Sequence, residues 1–374
     1  MFRFKQELRI PGPTPVPPQV LAKASSPMVN HRGSVFKEKL PQLARRLQPI
    51  FGTTEQIYMV TGSGTAGMEM AVANLVSPGT PVLCLVGGFF GQRWAEICRV
   101  FGAEVHELTY PWDTAVNPDQ VGDYLRKHPE IEVVFATHNE SSTTVLNDIE
   151  AVAQARGDHQ ALLVVDAVSS LGGVPFAMDK WGVDVVVTAS QKCLKAPPGL
   201  AFVSFSSRAK EKAAANKSRS YYFDLAIYDR YWARHEPPFT PSISLLFAVE
   251  EALNILEAEG LESAYARHRL MRDMVRAGVR ALGLVPLVAD EHASPTVTGV
   301  KLDGADEWRT AIRARYGVEF AGGQGPFAGK IFRIGHMGYA TPLDMLTSLA
   351  VLEMSFAKPG AATTAAELVW SQTK

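Results

Sequence analysis

The stretch VDVVVTASQKCLKAPPG, Val183 to Gly199, decides the fold. It opens as an apolar run rich in β-branched residues, the composition of a strand buried on both faces. The run ends near Ala189, and Lys192 follows directly at its carboxyl end. A second apolar run, ALLVVD, ends in Asp166, 26 residues upstream, enough for one crossover. Two parallel strands joined this way deliver both charged residues to one sheet edge, and ligands bind at that edge in such sheets.

On either side of this stretch the same pattern recurs. Short apolar runs (Ile57 to Val60, then PVLCLVG, AEVHELTY, IEVVFATH and LAFVSFS) alternate with helical spacing around 36–51, 67–76, 92–101 and 119–127. This predicts a mainly parallel α/β sheet covered on both faces. Polar clusters fall at the strand ends: Thr61 to Thr65, His138 to Ser142, Asp166, and Ser190 to Lys192. After Ser242 the pattern changes to a long helical stretch interrupted near Gly260. A strand (Thr296 to Lys301), a helix (Ala305 to Arg315), the IFRIGH strand and a last helix follow. The expected organisation is an extended proline-rich arm over 1–20, a large domain over 21–245 and a small α+β domain over 246–374.

The bulk composition is that of an ordinary globular chain. Of 374 residues, 47% are hydrophobic and 20% charged, and the net charge of −1 gives no electrostatic case for nucleic acid or membrane. Cys84, Cys98 and Cys193 form no disulfide framework and no metal-type pair. With no signal-type or membrane-type apolar run, the expected location is cytoplasmic.

Residues 62–67 read GSGTAG, a G-x-G-x-x-G between a strand and a helix. A helix N-terminus with Ser63 and Thr65 hydroxyls suits a phosphate, although the same pattern also serves a tight strand-to-helix turn. A dinucleotide site needs an acid at the end of the next strand, and VLCLVGGFFG has none, which argues against NAD. GGQGPFAGK lacks the first glycine and the final Ser or Thr of a P-loop. A lysine at the ligand edge forms a Schiff base with a carbonyl, and pyridoxal phosphate (PLP) carries both a carbonyl and a phosphate. An aspartate keeps its pyridine nitrogen protonated. Loop, lysine and aspartate thus serve one cofactor.

The chain resembles the class V aminotransferases of PLP fold type I, nearest the alanine–glyoxylate and serine–pyruvate branch. The resemblance runs through PGPTPVPPQVL, GFFGQRW, THNESSTTVL, VVDAVSSLGG, SQKCLKAPPG, SPTVTGVKL and GKIFRIGHMGY, about 350 residues. It implies a seven-stranded sheet, a homodimer with shared active sites, and transfer of an amino group from alanine or serine to glyoxylate or pyruvate. It implies that Lys192 carries the cofactor, that Asp166 pairs with its ring nitrogen, and that Ser63, Gly64, Thr65 and Gln191 hold its phosphate. It further implies that Phe90 stacks on the ring, Ser141 bonds near the ring hydroxyl, and Thr240 reaches the neighbouring subunit's phosphate. Arg333 would grip the substrate carboxylate, with the Gly12 backbone nearby.

The sequence departs from that pattern at Pro237, where the family has an aromatic hydroxyl, and at Thr144, where it has glycine. His31 and Arg32 leave aspartate possible as a donor. Two alternatives compete: a PLP lyase or cysteine desulfurase, for which Cys193 is badly placed, and a non-catalytic subunit of a larger assembly, which would not need Lys192, Asp166 and Arg333 together.

Overall fold

In the computed structural model, which describes residues 6–216 and 218–372, the apolar runs assemble into one seven-stranded sheet. Its order is Ile57–Thr61, Leu200–Phe205, Val185–Ala189, Leu162–Asp166, Val133–Thr137, Pro81–Val86 and Glu104–Thr109. Leu200–Phe205 runs antiparallel to both of its neighbours, and the other strands share one direction. The alternation of side chains along a strand supplies two cores at once. Leu83 and Leu85 join Phe36, Leu47 and Phe202 on one face. Val82, Cys84 and Val86 join Met70, Trp94 and Phe135 on the other. This is why the strands read as continuous apolar runs rather than alternating ones.

The crossover helices begin where local chemistry starts them. Asn117 accepts from the backbone N–H groups of Asp119 and Gln120 and opens the helix Pro118–Lys127. Asp148 accepts from Ala151 and opens Ile149–Arg156. In the helix Gly64–Leu75, Gly67 lets the backbone approach the sheet: a Cβ there would stand 2.6 Å from Val187 Cγ1. The long C-terminal helical stretch divides at Gly260 into Ile243–Glu259 and Leu261–Ala281, as its sequence indicates.

A second sheet follows the order Glu7–Arg9, Val318–Gly322, Ile331–Gly335, Val297–Lys301 and Val285–Pro286, over a separate core around Met271, Phe320 and Phe332. The N-terminal arm is therefore more than an extended strap. Glu7–Arg9 pairs in parallel with Val318–Phe320, and Pro18 opens a short helix. The arm's first five residues lie outside those described. Helices Ser207–Asn216 and Leu225–Trp232, the strand Val318–Gly322 and the small hairpin of Asn139–Glu140 with Val145–Leu146 add to the elements expected, and the final helix is two, Pro342–Phe356 and Ala361–Ser371. Among the described residues no helix is long and apolar enough to cross a membrane.

Phe202 is fully buried on the antiparallel strand between two parallel neighbours. Phe202→Ala should lower unfolding free energy by about 3–5 kcal/mol, read from the urea midpoint of the purified protein. An unchanged midpoint would contradict this packing.

Candidate active site

The carboxyl ends of the parallel strands converge on one cavity of about 280 Å³. Thr61 leads into Ser63, Gly64 and Thr65, Val86 leads to Phe90, Thr137 to Ser141, and Ala189 to Gln191 and Lys192. All of these cofactor candidates, with Asp166, line that cavity. The pairing registers explain the convergence. Thr137 faces Asp166 and Asp166 faces Val187, so neighbouring strands stop at nearly the same level.

The two charged groups sit in unusual surroundings. Asp166 is buried and its Oδ1 accepts from the Val168 N–H at 2.8 Å, closing the turn after its strand. Burial pushes its carboxyl up to about 7; the Val168 bond pulls the other way, the nearby Glu140 charge adds to the rise, and Lys192 and Arg93 oppose it. Burial likewise brings the Lys192 ammonium down to about 8, against the opposing pull of Cys193 and Asp166. Lys192 Nζ donates to the Pro11 carbonyl. Gly12, at φ +114°, packs so tightly here that an added Cβ would lie 2.5 Å from Lys192 Nζ. The arm's Thr14 N–H donates to the Gln191 carbonyl at 3.1 Å, fastening the arm over the lysine turn.

Arg333 lies beside the cavity rather than among its lining residues. Its Nη1 donates to the Ser141 carbonyl at 2.6 Å and its Nε to the Gly322 carbonyl at 2.8 Å. Nε and Nη1 are thus each committed to a backbone carbonyl, and among the described residues no hydrogen bond from Nη2 is seen. Burial brings the guanidinium pKa down to about 10. Thr240 is not brought to this cavity within one chain. It is exposed and lines a small separate pocket with Thr61, Tyr222 and Pro237. Nor does it cap the following helix, since Ser242 takes that position. Arg32 donates to Pro238 at 3.3 Å, on the same surface as Thr240, and His31 is half-buried without lining the cavity.

Residues to which the sequence reading gave no individual role complete the site, Asn139 and Glu140 among them from the polar cluster His138 to Ser142. Arg93 lines the cavity, donates to Thr65 Oγ1 at 3.1 Å and lies 5.0 Å from the ring centres of both Phe89 and Phe90. Its spacing of one turn from Phe90 was the available signal. Glu140 is buried, and its Oε2 accepts from the N–H groups of Phe90 (2.9 Å) and Gly91 (3.1 Å) while Oε1 accepts from Ser142. The carboxylate thus fixes the helix that presents Phe90, at the end where the helix dipole favours negative charge. Asn139, Val168 and Ser169 also line the cavity. Thr144 adopts φ +65°, a region glycine prefers, and is held there by bonds from its N–H to the Glu140 carbonyl and from the Gly299 N–H to its Oγ1.

The donor set fits PLP. A helix N-terminus is available whose capping Ser63 side chain makes no cap bond, two hydroxyls flank it, and the buried Gln191 Oε1 has no partner among the described residues. An aromatic ring, a buried carboxylate and a half-buried amine share the same cavity. Among the described residues no cluster suits a metal ion.

Comparison with known proteins agrees. The model of the family "Aminotransferase class-V" matches residues 9–324. A "Soluble hydrogenase, small subunit" of Synechococcus is 38% identical over 98% of this chain and 99% of its own. The L-aspartate–glyoxylate aminotransferase of Paracoccus denitrificans is 38% identical over 94% of this chain and 91% of its own. The crystal structure of pyridoxamine–pyruvate aminotransferase from Mesorhizobium loti superposes with a TM-score of 0.94 at 32% identity, covering 100% of this chain and 98% of that one.

The buried Asp166 makes a pH signature in cofactor-free protein. An aspartate titrates near 3.9 when unfolded and near 7 here. The folded state then holds the proton more tightly, so this group's contribution is intact below about pH 4 and is lost as pH rises through 7. Asp166→Asn should flatten the fall in Tm between about pH 4 and 7 and leave the variant the more stable form above it. An unchanged slope would contradict the burial of this carboxyl.

Proposed function

The chain belongs to the class-V aminotransferase family and is a PLP-dependent transaminase; on that premise we propose that it moves an amino group from alanine or serine to an oxo acid such as glyoxylate or pyruvate. The observation that carries the reading is the half-buried Lys192 and the buried Asp166 sharing one cavity with the phosphate-suited helix end, with Arg333 beside it. PLP, when bound, supplies a carbonyl that captures amines and a ring that accepts the electron pair released at Cα.

In this proposal each side chain has one task. Ser63, Gly64, Thr65 and Gln191 would hold the phosphate, Phe90 would stack on the ring, and Ser141 would bond near the ring hydroxyl. Asp166 would pair with the ring nitrogen, and that pairing would favour its charged form over the neutral one that burial favours. Arg333 Nη2 orients the substrate carboxylate, with the Gly12 backbone nearby. Lys192 Nζ takes the proton from Cα of the donor and later returns one to Cα of the product. A lysine held near 8 keeps a useful share of neutral amine at neutral pH, which suits a proton carrier. The docked arm excludes water above it.

The homodimer is part of the same proposal. Leu21, Met28, Val35 and Tyr221 are large apolar side chains exposed on the chain by itself. Tyr222 stacks on Phe239, next to Thr240. A second copy covering this surface would bring Thr240 to the neighbouring cavity. Arg32, tied to Pro238, would travel with it. That coupling, with the aspartate-using relative, favours a second reading in which the donor is a dicarboxylic amino acid.

The test is a donor and acceptor panel (alanine, serine and aspartate against glyoxylate and pyruvate) on protein loaded with PLP. At least one pair should turn over, and Lys192→Ala should lower that rate by about 10³-fold or more with its apoprotein still folded. No transfer from any donor would overturn the reading. If aspartate is the donor, Arg32→Ala should raise its KM about tenfold and leave that for alanine unchanged. Equal effects on both would remove Arg32 from the site.

A further inference from the structure

Lys195 stands three residues after Lys192 and is unlike any other lysine described. It is 3% exposed, and its backbone is left-handed at φ +62°. Its N–H donates to the Lys192 carbonyl at 3.0 Å, so the two lysines share one turn. Its Nζ reaches Glu259 Oε2 at 2.7 Å, at the end of the helix Ile243–Glu259. Glu259 also accepts from Arg267 at two points, Nε at 2.5 Å and Nη2 at 3.1 Å. Arg267 then donates through Nη1 to the carbonyls of Gly338 (3.2 Å) and Ala340 (2.6 Å). The next residue, His268, accepts from the Gly338 N–H through Nε2 at 3.2 Å, its Nδ1 being satisfied by the Ala264 carbonyl. The clamped loop leaves the strand Ile331–Gly335, which carries Arg333.

We propose that Lys195, Glu259 and Arg267 form a positioning strut that keeps the Lys192 turn in register with the strand bearing Arg333. The inference rests on the roles proposed above for Lys192 and Arg333. Those two cations come from different sheets, and the proton carrier and carboxylate grip must keep a fixed separation for one substrate to engage both. A left-handed, buried lysine is an expensive way to obtain stability alone. Such backbone is strained for a residue with a Cβ, and buried ion pairs can be replaced by apolar residues at little or no loss. The chain of contacts has the two cation-bearing segments at its ends, which a purely structural pair would not require.

The test compares wild type with Lys195→Met, which keeps length and removes charge, and Lys195→Asn, which suits the left-handed backbone and also removes charge. Glu259 keeps Arg267 in both, so no lone charge is left buried. For each protein kcat and KM are measured with saturating PLP, alongside apoprotein Tm and PLP affinity by tryptophan fluorescence. Both variants should raise the KM of donor and acceptor about tenfold, the scale expected when one charge-assisted hydrogen bond is removed, with Tm and PLP affinity near wild type. Wild-type kinetics in either folded variant would overturn the strut, and so would a loss that tracks Tm or PLP content. A wild type inactive with every donor would instead overturn the function on which the strut rests.

Discussion

Burial on both faces is the constraint from which the rest follows. A strand covered by helices above and below has no place for a charge along its length. Charged and polar groups are pushed to the strand ends, and because neighbours run in parallel those ends form one edge. Asp166, Gln191, Lys192, Ser141 and the Ser63 loop meet there from separate parts of the chain. The same desolvation that expels charge from the sheet acts on the few charges kept at its edge. It lifts the Asp166 carboxyl and lowers the Lys192 ammonium, drawing both toward neutral pH.

The cavity also shows how a charged site is tied together by hydrogen bonds. Glu140 is spent on the backbone of the helix that carries Phe90, Ser141 offers its carbonyl to Arg333, and Arg93 bridges Thr65 to two aromatic rings. Each functional side chain thus leans on a neighbour supplied by another strand end. Arg333 is the clearest case: part of its guanidinium is used to tie its own strand to the Ser141 turn, across the boundary between the two sheets.

Much of this was legible in the sequence, for physical reasons. The apolar runs were long enough to mark strands, and the Lys192 and Asp166 positions followed from where those runs stopped. The break at Gly260 announced itself through glycine's place at a helix end. Arg333, Thr240 and Phe90 came from resemblance alone, since an arginine in a strand or a phenylalanine in a helix carries no local mark of its role. Glu140 stayed hidden because a lone glutamate in a polar turn reads as solvated, and only the tertiary approach of the Phe90 helix gives it partners. The strand Glu7–Arg9 was equally invisible: three residues next to a proline tract, paired with a segment beginning at Val318.

That last pairing bears on how the molecule comes to exist. The arm supplies the Pro11 carbonyl and Gly12 beside Lys192, and it is anchored by residues near the far end of the chain. Its seat is made by a segment roughly three hundred residues further along the sequence, so the pairing closes one of the longest loops in the fold. Every strand of the sheet that delivers Asp166 and Lys192 precedes that segment in the sequence, so the arm over Lys192 is anchored by elements that come after the edge it covers. A chain broken off before Val318 would therefore carry Lys192 without the strand that anchors its cover.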